Sequence, residues 1–345
     1  MTNDLINFIS ESLDLEYEVN VVTDGDSQTL VLYDGVERID YETIDNHTFL
    51  KDSFLGGYCG ITSIVIPNTV THINCNALKK CKCLDSIVVS EDNESYSSLD
   101  GVLYDKNKTK LYYVPPMVKM TELVLPDTVT EIDANAFMDS LQSENDETLK
   151  TLVIHKDVAV ISFDNCNVES IIVSDDNELY SSQNGVLFSK DKTKLYRFPE
   201  RSPLTEYVIP DTVTEIEERA FDCCKNLKSV VIPSSVKIIG GMAFSHCLSL
   251  ESVVIPDSIN VIDYGTFISC RNLKSINIPN SVTRINDSAF SISGLESVVI
   301  PDSVTEIEEM AFRYSDIKEV AVSKNTIIGK DAFENIFDEV EINYY

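Results

Sequence analysis

The chain has 345 residues, 43% of them hydrophobic, with 57 acids against 27 bases and a formal net charge of −30. That charge argues against binding the phosphate backbone of nucleic acid or an anionic membrane surface, leaving either solubility of a large surface or a basic partner as its meaning. No stretch approaches the roughly 20 consecutive apolar residues of a membrane-spanning helix.

Residues 1–15 contain no positively charged segment, apolar core or small-residue cleavage site of a secretory leader. The chain as written is therefore expected to be cytoplasmic; a secreted or cell-surface setting is the alternative if a leader was trimmed. Leu5, Ile6, Phe8, Ile9 and Leu13 fall at helical spacing behind Thr2 or Asn3 as N-cap. They predict a short amphipathic helix that covers the open end of a core, within an N-terminal cap over 1–27. "YEVNVV" and "QTLVLY" read as strands. Residues 30–44 already carry a unit that later recurs, with Tyr33, Val36, Ile39 and Ile44, and a longer turn follows through Phe54, Gly56, Gly57 and Tyr58. The next copy has Pro67, Val70, Ile73, Leu78 and Cys81.

A longer pattern then appears twice. Residues 88–115 recur as 172–199, each a unit with extra length. "GVLYDKNKTKLYYV" and "GVLFSKDKTKLYRF" read as β-hairpins, two alternating runs around a Lys/Asn/Asp turn. These insertions, near 100–116 and 184–200, are expected to project from the rim. Between them Pro126, Val129, Ile132 and Phe137 make an ordinary unit, followed by an acidic loop at 141–148 and a short unit with His155, Val158 and Ile161.

From residue 204 onward the unit is regular. Pro210, Pro233, Pro256, Pro279 and Pro301 are separated by 23, 23, 23 and 22 residues. Eleven residues after each stands Phe221, Phe244, Phe267, Phe290 or Phe312; six after each stands Ile216, Ile239, Ile262, Ile285 or Ile307. A fixed period near 23 is the signature of a solenoid. The β-branched run before each proline predicts a strand, and proline ends it for want of an N–H. The mixed spacing of Val236, Ile239, Ala243 and Phe244 predicts an irregular or short helical return. Each coil then holds one strand, one corner and one return limb. Equivalent strands pair in parallel about 4.8 Å apart. About twelve coils are counted over 28–322, and the irregular 323–345 reads as a C-terminal capping repeat.

The pattern "L-x-x-I-x-I-P-x-x-V-x-x-I-x-x-x-A-F-x-x-C" resembles the BspA-like leucine-rich repeat family, over nearly all of the chain after about residue 28. The resemblance implies an α/β-type repeat solenoid, a right-handed leucine-rich-repeat superhelix with a parallel concave sheet, here with two β-hairpin insertions. It also implies a binding role, often at a cell surface, and no catalytic residues.

Side chains alternate along a strand, so residues two before the proline face out from the sheet. These are Val65, Val88, Val124, Val153, Ile172, Val208, Val231, Val254, Asn277 and Val299, followed by Ala321. Beside them run small hydroxyls such as Ser63, Ser86, Ser229, Ser252 and Ser297, with Glu122, Glu206 and Glu319. An aliphatic stripe in solvent marks a binding surface; β-branched residues also simply favour strands. Both readings stand at this level.

Acids after the corner, among them Asp127, Asp211, Asp257, Asp302, Glu131, Glu215, Glu217, Glu306 and Glu308, read as a like-charged ladder on the solvated face. Weak divalent-cation binding is the alternative there, although the spacing matches no calcium loop. "SEDNE" and "SDDNE" read as turns. Cys81, Cys224, Cys247 and Cys270 share one slot that elsewhere holds Ser140, Ser293 or Ser315, which points to free buried thiols rather than disulfides. Cys75, Cys81 and Cys83 with His72 form the best metal cluster in sequence, but not at zinc-site spacing. His47, His72, His155 and His246 sit near no nucleophile motif, and there is no phosphate-binding loop.

The sequence therefore predicts a monomeric, non-enzymatic protein-interaction module without cofactors. It would bind another protein through the concave stripe and the hairpins, adhesin-like in one form. The alternative is a glycan- or cation-binding structural surface protein.

Overall fold

A 23-residue coil that ends its strand at proline can bury its apolar residues only against the coil above or below. The computed structural model shows that solution. It describes residues 19–24, 27–32, 34–39, 60–79, 81–137, 149–162, 166–334 and 340–345. The expected helix over residues 3–15, the turn through Phe54 and Tyr58, and the acidic loop 141–148 lie outside these residues. The fold is a β-solenoid of about eleven turns, near the dozen counted in sequence, with stacked parallel strands and almost no helix. By contacts the chain divides into two units, Met1–Asn167 and Val168–Tyr345.

In the first unit Ser27–Leu32 pairs in parallel with Ile61–Ile66, which pairs in parallel with Ser86–Val89. Val19–Asp24 lies antiparallel on the outer edge of Ser27–Leu32. In the second unit Glu206–Val208, Ser229–Val231 and Ser252–Val254 stack in register, Val208 beside Val231 beside Val254. Residues 273–279, which include Asn277, form no strand; asparagine is a poor strand former. The ladder resumes as Ser297–Val299, Glu319–Val322 and Glu341–Tyr344, all parallel.

Most of the described coils also carry a second, two-residue strand beyond the corner, which the sequence reading does not anticipate. Glu215–Ile216 pairs with Ile238–Ile239, and Val261–Ile262, Arg284–Ile285, Glu306–Ile307 and Ile327–Ile328 form one parallel ladder. The isoleucine of each pair except Ile328 is buried, because alternation turns it inward and its neighbour outward.

The return limb is irregular for a definite reason. Arg219 and Cys223, Met242 and His246, Ser288 and Ile292, and Met310 and Tyr314 all have left-handed φ between 54° and 62°. Left-handed residues cannot continue a right-handed helix. Here they alternate the direction of the N–H groups. Ala220 and Asp222 donate locally, to Glu217 and Arg219. Arg219, Phe221 and Cys223 donate instead to Gly241, Ala243 and Ser245 of the next coil. Every second amide thus becomes a rung between coils. Among the described residues the one α-helix is Cys75–Leu78, capped by the Asn74 side chain on the Asn76 amide.

The phenylalanines complete the stack. Phe198, Phe221, Phe244, Phe267, Phe290, Phe312 and Phe333 form a column with centroids 4.8–5.4 Å apart. All lie at 1% accessibility or less except Phe333 at the end. Burying each such ring contributes about 1.5–3 kcal/mol, and each stacked contact about 0.5–1.5 kcal/mol more.

The two insertions do not project from the rim as expected. Each is a three-stranded antiparallel meander, Tyr96–Leu99, Val102–Asp105 and Lys110–Tyr113 in the first unit, and Tyr180–Gln183, Val186–Ser189 and Lys194–Arg197 in the second. Val102, Leu103, Tyr104, Leu111 and Tyr113 are buried, as are Val186, Leu187, Phe188 and Leu195. The third strand of each takes a place in the short ladder, Leu111 beside Ile132 and Leu195 beside Ile216. Leucine fills the slot that isoleucine holds elsewhere, so the extra length is folded into the core.

Phe267→Ala removes a ring with a neighbour on each face. We expect urea unfolding followed by circular dichroism to report a loss of about 3–5 kcal/mol. Val254→Thr on the outward face should change stability by less than about 0.5 kcal/mol.

Candidate interaction surface

The outward positions of the long strands do not all reach solvent. Val124, Ile172, Val208, Val231, Val254 and Val299 are exposed, Val208 and Val254 by 68% and 64%. Val88 and Val153 are half-buried. Val65 is not available: it is 5% exposed, clustered with Val31 and packed by Val22 and Val88. Its sheet carries an apolar cluster on that face as well, because Val31, Val65 and Val88 are register partners. Asn277 is exposed but belongs to the coil that leaves the ladder.

The longest open run is Val208, Val231 and Val254 on three hydrogen-bonded strands of the second unit. Glu206, Ser229 and Ser252 flank it, at the register positions expected of them. Lys228 and Glu251 pair at 3.7 Å nearby. In the first unit Val124 borders a hollow lined also by Leu99, Tyr104, Lys119, Met120 and Glu122, in which the insertion and the long strand share a wall.

The insertions seal strand edges. Ile87 N–H donates to the Gly101 carbonyl and Val89 N–H to Ser98 Oγ. In the second unit Ile171 donates to Gly185 and Val173 to Ser182 Oγ. Gly101 and Gly185 have φ of 83° and 79°, and a Cβ at Gly185 would lie 2.8 Å from Ser170 Oγ. Only glycine combines that backbone with that approach. The "SEDNE" turn is held by Asn93, wholly buried, whose amide donates to Pro67 and Val70 while its oxygen accepts from Ser95 and Tyr96. The preceding acids are exposed and the asparagine does the structural work, a distinction that the acidic run hides in the sequence.

The acids of the short ladder do not form an unbroken like-charged column. Lys110 lies 2.6 Å from Glu131 and 2.9 Å from Asp133. Lys194 bridges Glu215 and Glu217 at 2.9 and 3.1 Å, and Arg284 pairs with Glu306 and Glu308. Partial burial alone would lower the Lys110 ammonium, but its bonds to Glu131 and Asp133 outweigh it and hold the group above its ordinary value. One base therefore sits between acids of the next coil on the same face.

The shared cysteine slot is a thiol ladder without disulfides. Cys81, Cys224, Cys247 and Cys270 are free and buried. Cys247 donates to the Phe221 carbonyl at 3.0 Å and Cys270 to Phe244 at 3.1 Å. Burial pushes the Cys81 and Cys270 thiols up to about 12. Cys75, Cys81, Cys83 and His72 do not converge; among the described residues the convergence of ligand-type side chains falls at Asp222, Cys223 and His246. Ser245 joins that group, its Oγ 2.6 Å from Asp222 Oδ1 and 2.7 Å from His246 Nδ1. It is 1% exposed and bonded directly to the carboxylate, so the serine is pinned rather than presented as a nucleophile. The sequence signal for this group was present: Cys223 and His246 stand one period apart.

Comparison with known proteins follows the same lines. The model of a family described as BspA type leucine rich repeat region, in six copies, matches residues 40–101, 112–201 and 191–318. Among solved structures, a leucine rich cell surface protein from Faecalibacterium prausnitzii is 22% identical, covers 92% of this chain and 94% of its own, and superposes with a TM-score of 0.50. The pneumococcal vaccine antigen PcpA is 19% identical, covers 96% of this chain and 93% of its own, with a TM-score of 0.58. None of the curated proteins matches the chain. Among the described residues no helix is long and apolar enough to cross a membrane.

A thiol whose folded-state value is raised keeps a proton that the unfolded chain, near 8.5, gives up. The stability this contributes is full below about pH 8.5 and is lost as pH rises toward 12. We expect Cys224, Cys247 and Cys270 to resist a thiol reagent at pH 8 in the native protein and to react fully in denaturant. Mass spectrometry of the labelled peptides measures this directly.

Proposed function

Because the chain belongs to the BspA-type leucine-rich repeat family, we propose that it is a protein-interaction module that docks another protein on the outward face of its long strands. The observation that carries this reading is the open run of Val208, Val231 and Val254. Three exposed valines on adjacent hydrogen-bonded strands form a contiguous apolar ridge, and such ridges mark binding surfaces more often than lone exposed residues do. The strands hold it rigid, so ordering the surface on binding costs little. The net charge of the whole chain, −30, favours a basic partner and disfavours acidic competitors.

The exposed Val124 and its hollow give the first insertion a share in contact within the first unit. The adhesin-like form of this reading places the module at a cell surface, the setting named for one of its solved neighbours.

The test compares wild type with the triple variant Val208→Lys, Val231→Lys, Val254→Lys as bait in a native lysate, with captured proteins quantified by mass spectrometry. Partner recovery should fall roughly tenfold or more. The pair Ile238→Lys and Val261→Lys, on the exposed side of the short ladder, should leave it unchanged. Circular dichroism checks that each variant folds. Undiminished recovery by the triple variant overturns the proposal, and recovery that persists in chelator separates direct docking from a cation bridge.

A further inference from the structure

We propose that Asp222, Cys223 and His246 bind one zinc-type divalent cation on the return limbs of two successive coils of the second unit. One donor atom from each already lies within 4.8 Å of the others. Carboxylate, thiolate and imidazole together are a zinc-type donor set, whereas calcium and magnesium prefer oxygen alone.

The fold explains why these three meet. Cys223 and His246 each stand thirteen residues after a repeat proline, Pro210 and Pro233. Both are left-handed, with φ of 62° and 54°, so both side chains leave the limb in the same sense. Cys223 N–H donates to the Ser245 carbonyl at 2.9 Å and locks the limbs side by side. The same slot in the next coils holds Ser269, Ile292 and Tyr314, which confines the thiol–imidazole pair to these two turns. Asp222, just before Cys223, is 6% exposed and closes the back, while His246 is 52% exposed and opens the front to solvent.

Metal–ligand bonds of 2.0–2.3 Å in a tetrahedron set donors about 3.3–3.8 Å apart. His246 Nδ1 and Asp222 Oδ1 stand at 3.5 Å. Cys223 Sγ lies within 4.8 Å of both, and the exposed imidazole leaves that side of the group facing solvent. Ser245 Oγ bonds Asp222 Oδ1 and orients the carboxylate from outside the site; its bond to His246 uses the same Nδ1 that takes the metal, and gives way on binding. Arg219 lies 3.8 Å from the other Asp222 oxygen. Burial alone would raise Asp222, but its bonds to His246 and Ser245 outweigh that and keep it below its usual value. The carboxylate is therefore charged and ready.

Binding converts Cys223–SH and M²⁺ into a Cys223–S–M bond and one released proton. Burial, Asp222 and Glu200 push the free thiol up to about 12, with Arg197 acting the other way. Arg219 and His246 also face the site, and the buried Cys247 and Cys270 thiols lie within electrostatic reach of Asp222. Affinity should consequently rise with pH as the competing protons thin out.

The experiment adds Co²⁺ alone to the full chain and follows the absorption spectrum. A thiolate-to-cobalt band in the near ultraviolet and visible bands of four-coordinate cobalt should appear at about one ion per chain. Zn²⁺ should displace it, and apparent affinity should increase from pH 6 to pH 8. Cys223→Ser should abolish the near-ultraviolet band. His246→Ala, at an exposed and foldable position, should weaken binding roughly tenfold or more, and His72→Ala should change nothing. No cobalt band in wild type, or a band that survives Cys223→Ser, overturns the proposal. If Cys223→Ser does not fold, an undiminished band in His246→Ala overturns it equally.

Discussion

Everything in this protein depends on one constraint: no coil can satisfy either its backbone or its core alone. In the return limb every second amide, such as those of Arg219, Phe221 and Cys223, donates to the following coil. In the interior each phenylalanine from Phe221 to Phe312 is sandwiched between rings from the coils before and after it. Hydrogen bonds fix the spacing and the rings fill it. The left-handed residues are the device that allows both, since they aim alternate amides across the stack while keeping the phenylalanine inward.

A stack built in this way leaves its ends and irregularities to be managed. The two meanders do this within their own units. Their third strands continue the short ladder, and their first turns close the free edge of a long strand through Gly101 and Gly185. An exposed strand edge invites pairing with another chain. With that edge sealed, what the long strands offer to solvent is the outward face, where Val208, Val231 and Val254 stand clear.

Much of this was legible in the sequence. A period of 23 residues with proline, isoleucine and phenylalanine in register points to a stacked parallel fold, and the isoleucines and phenylalanines are buried as the period requires. The insertions were recognisable as antiparallel hairpins from their alternation. Their destination was not, because alternation reads the same whether one face or both are covered; Val102, Leu103 and Tyr104 are buried in succession. The acids looked like a like-charged column because Lys110, Lys194 and Arg284 lie a coil away in sequence from the carboxylates that they meet. The family reading rests on motif positions and agrees with the matched segments.

What the sequence alone determined was the inward half of each coil, because burial there follows from periodicity and every copy votes the same way. The outward half was decided by tertiary structure. Val65 and Val208 hold the same repeat position, yet one is covered by Val31 and its neighbours and the other stands in water. Asp222, Cys223 and His246 converge only once two limbs are locked together with left-handed turns. Facing solvent is a property of what happens to lie nearby, and no repeat pattern encodes its own surroundings.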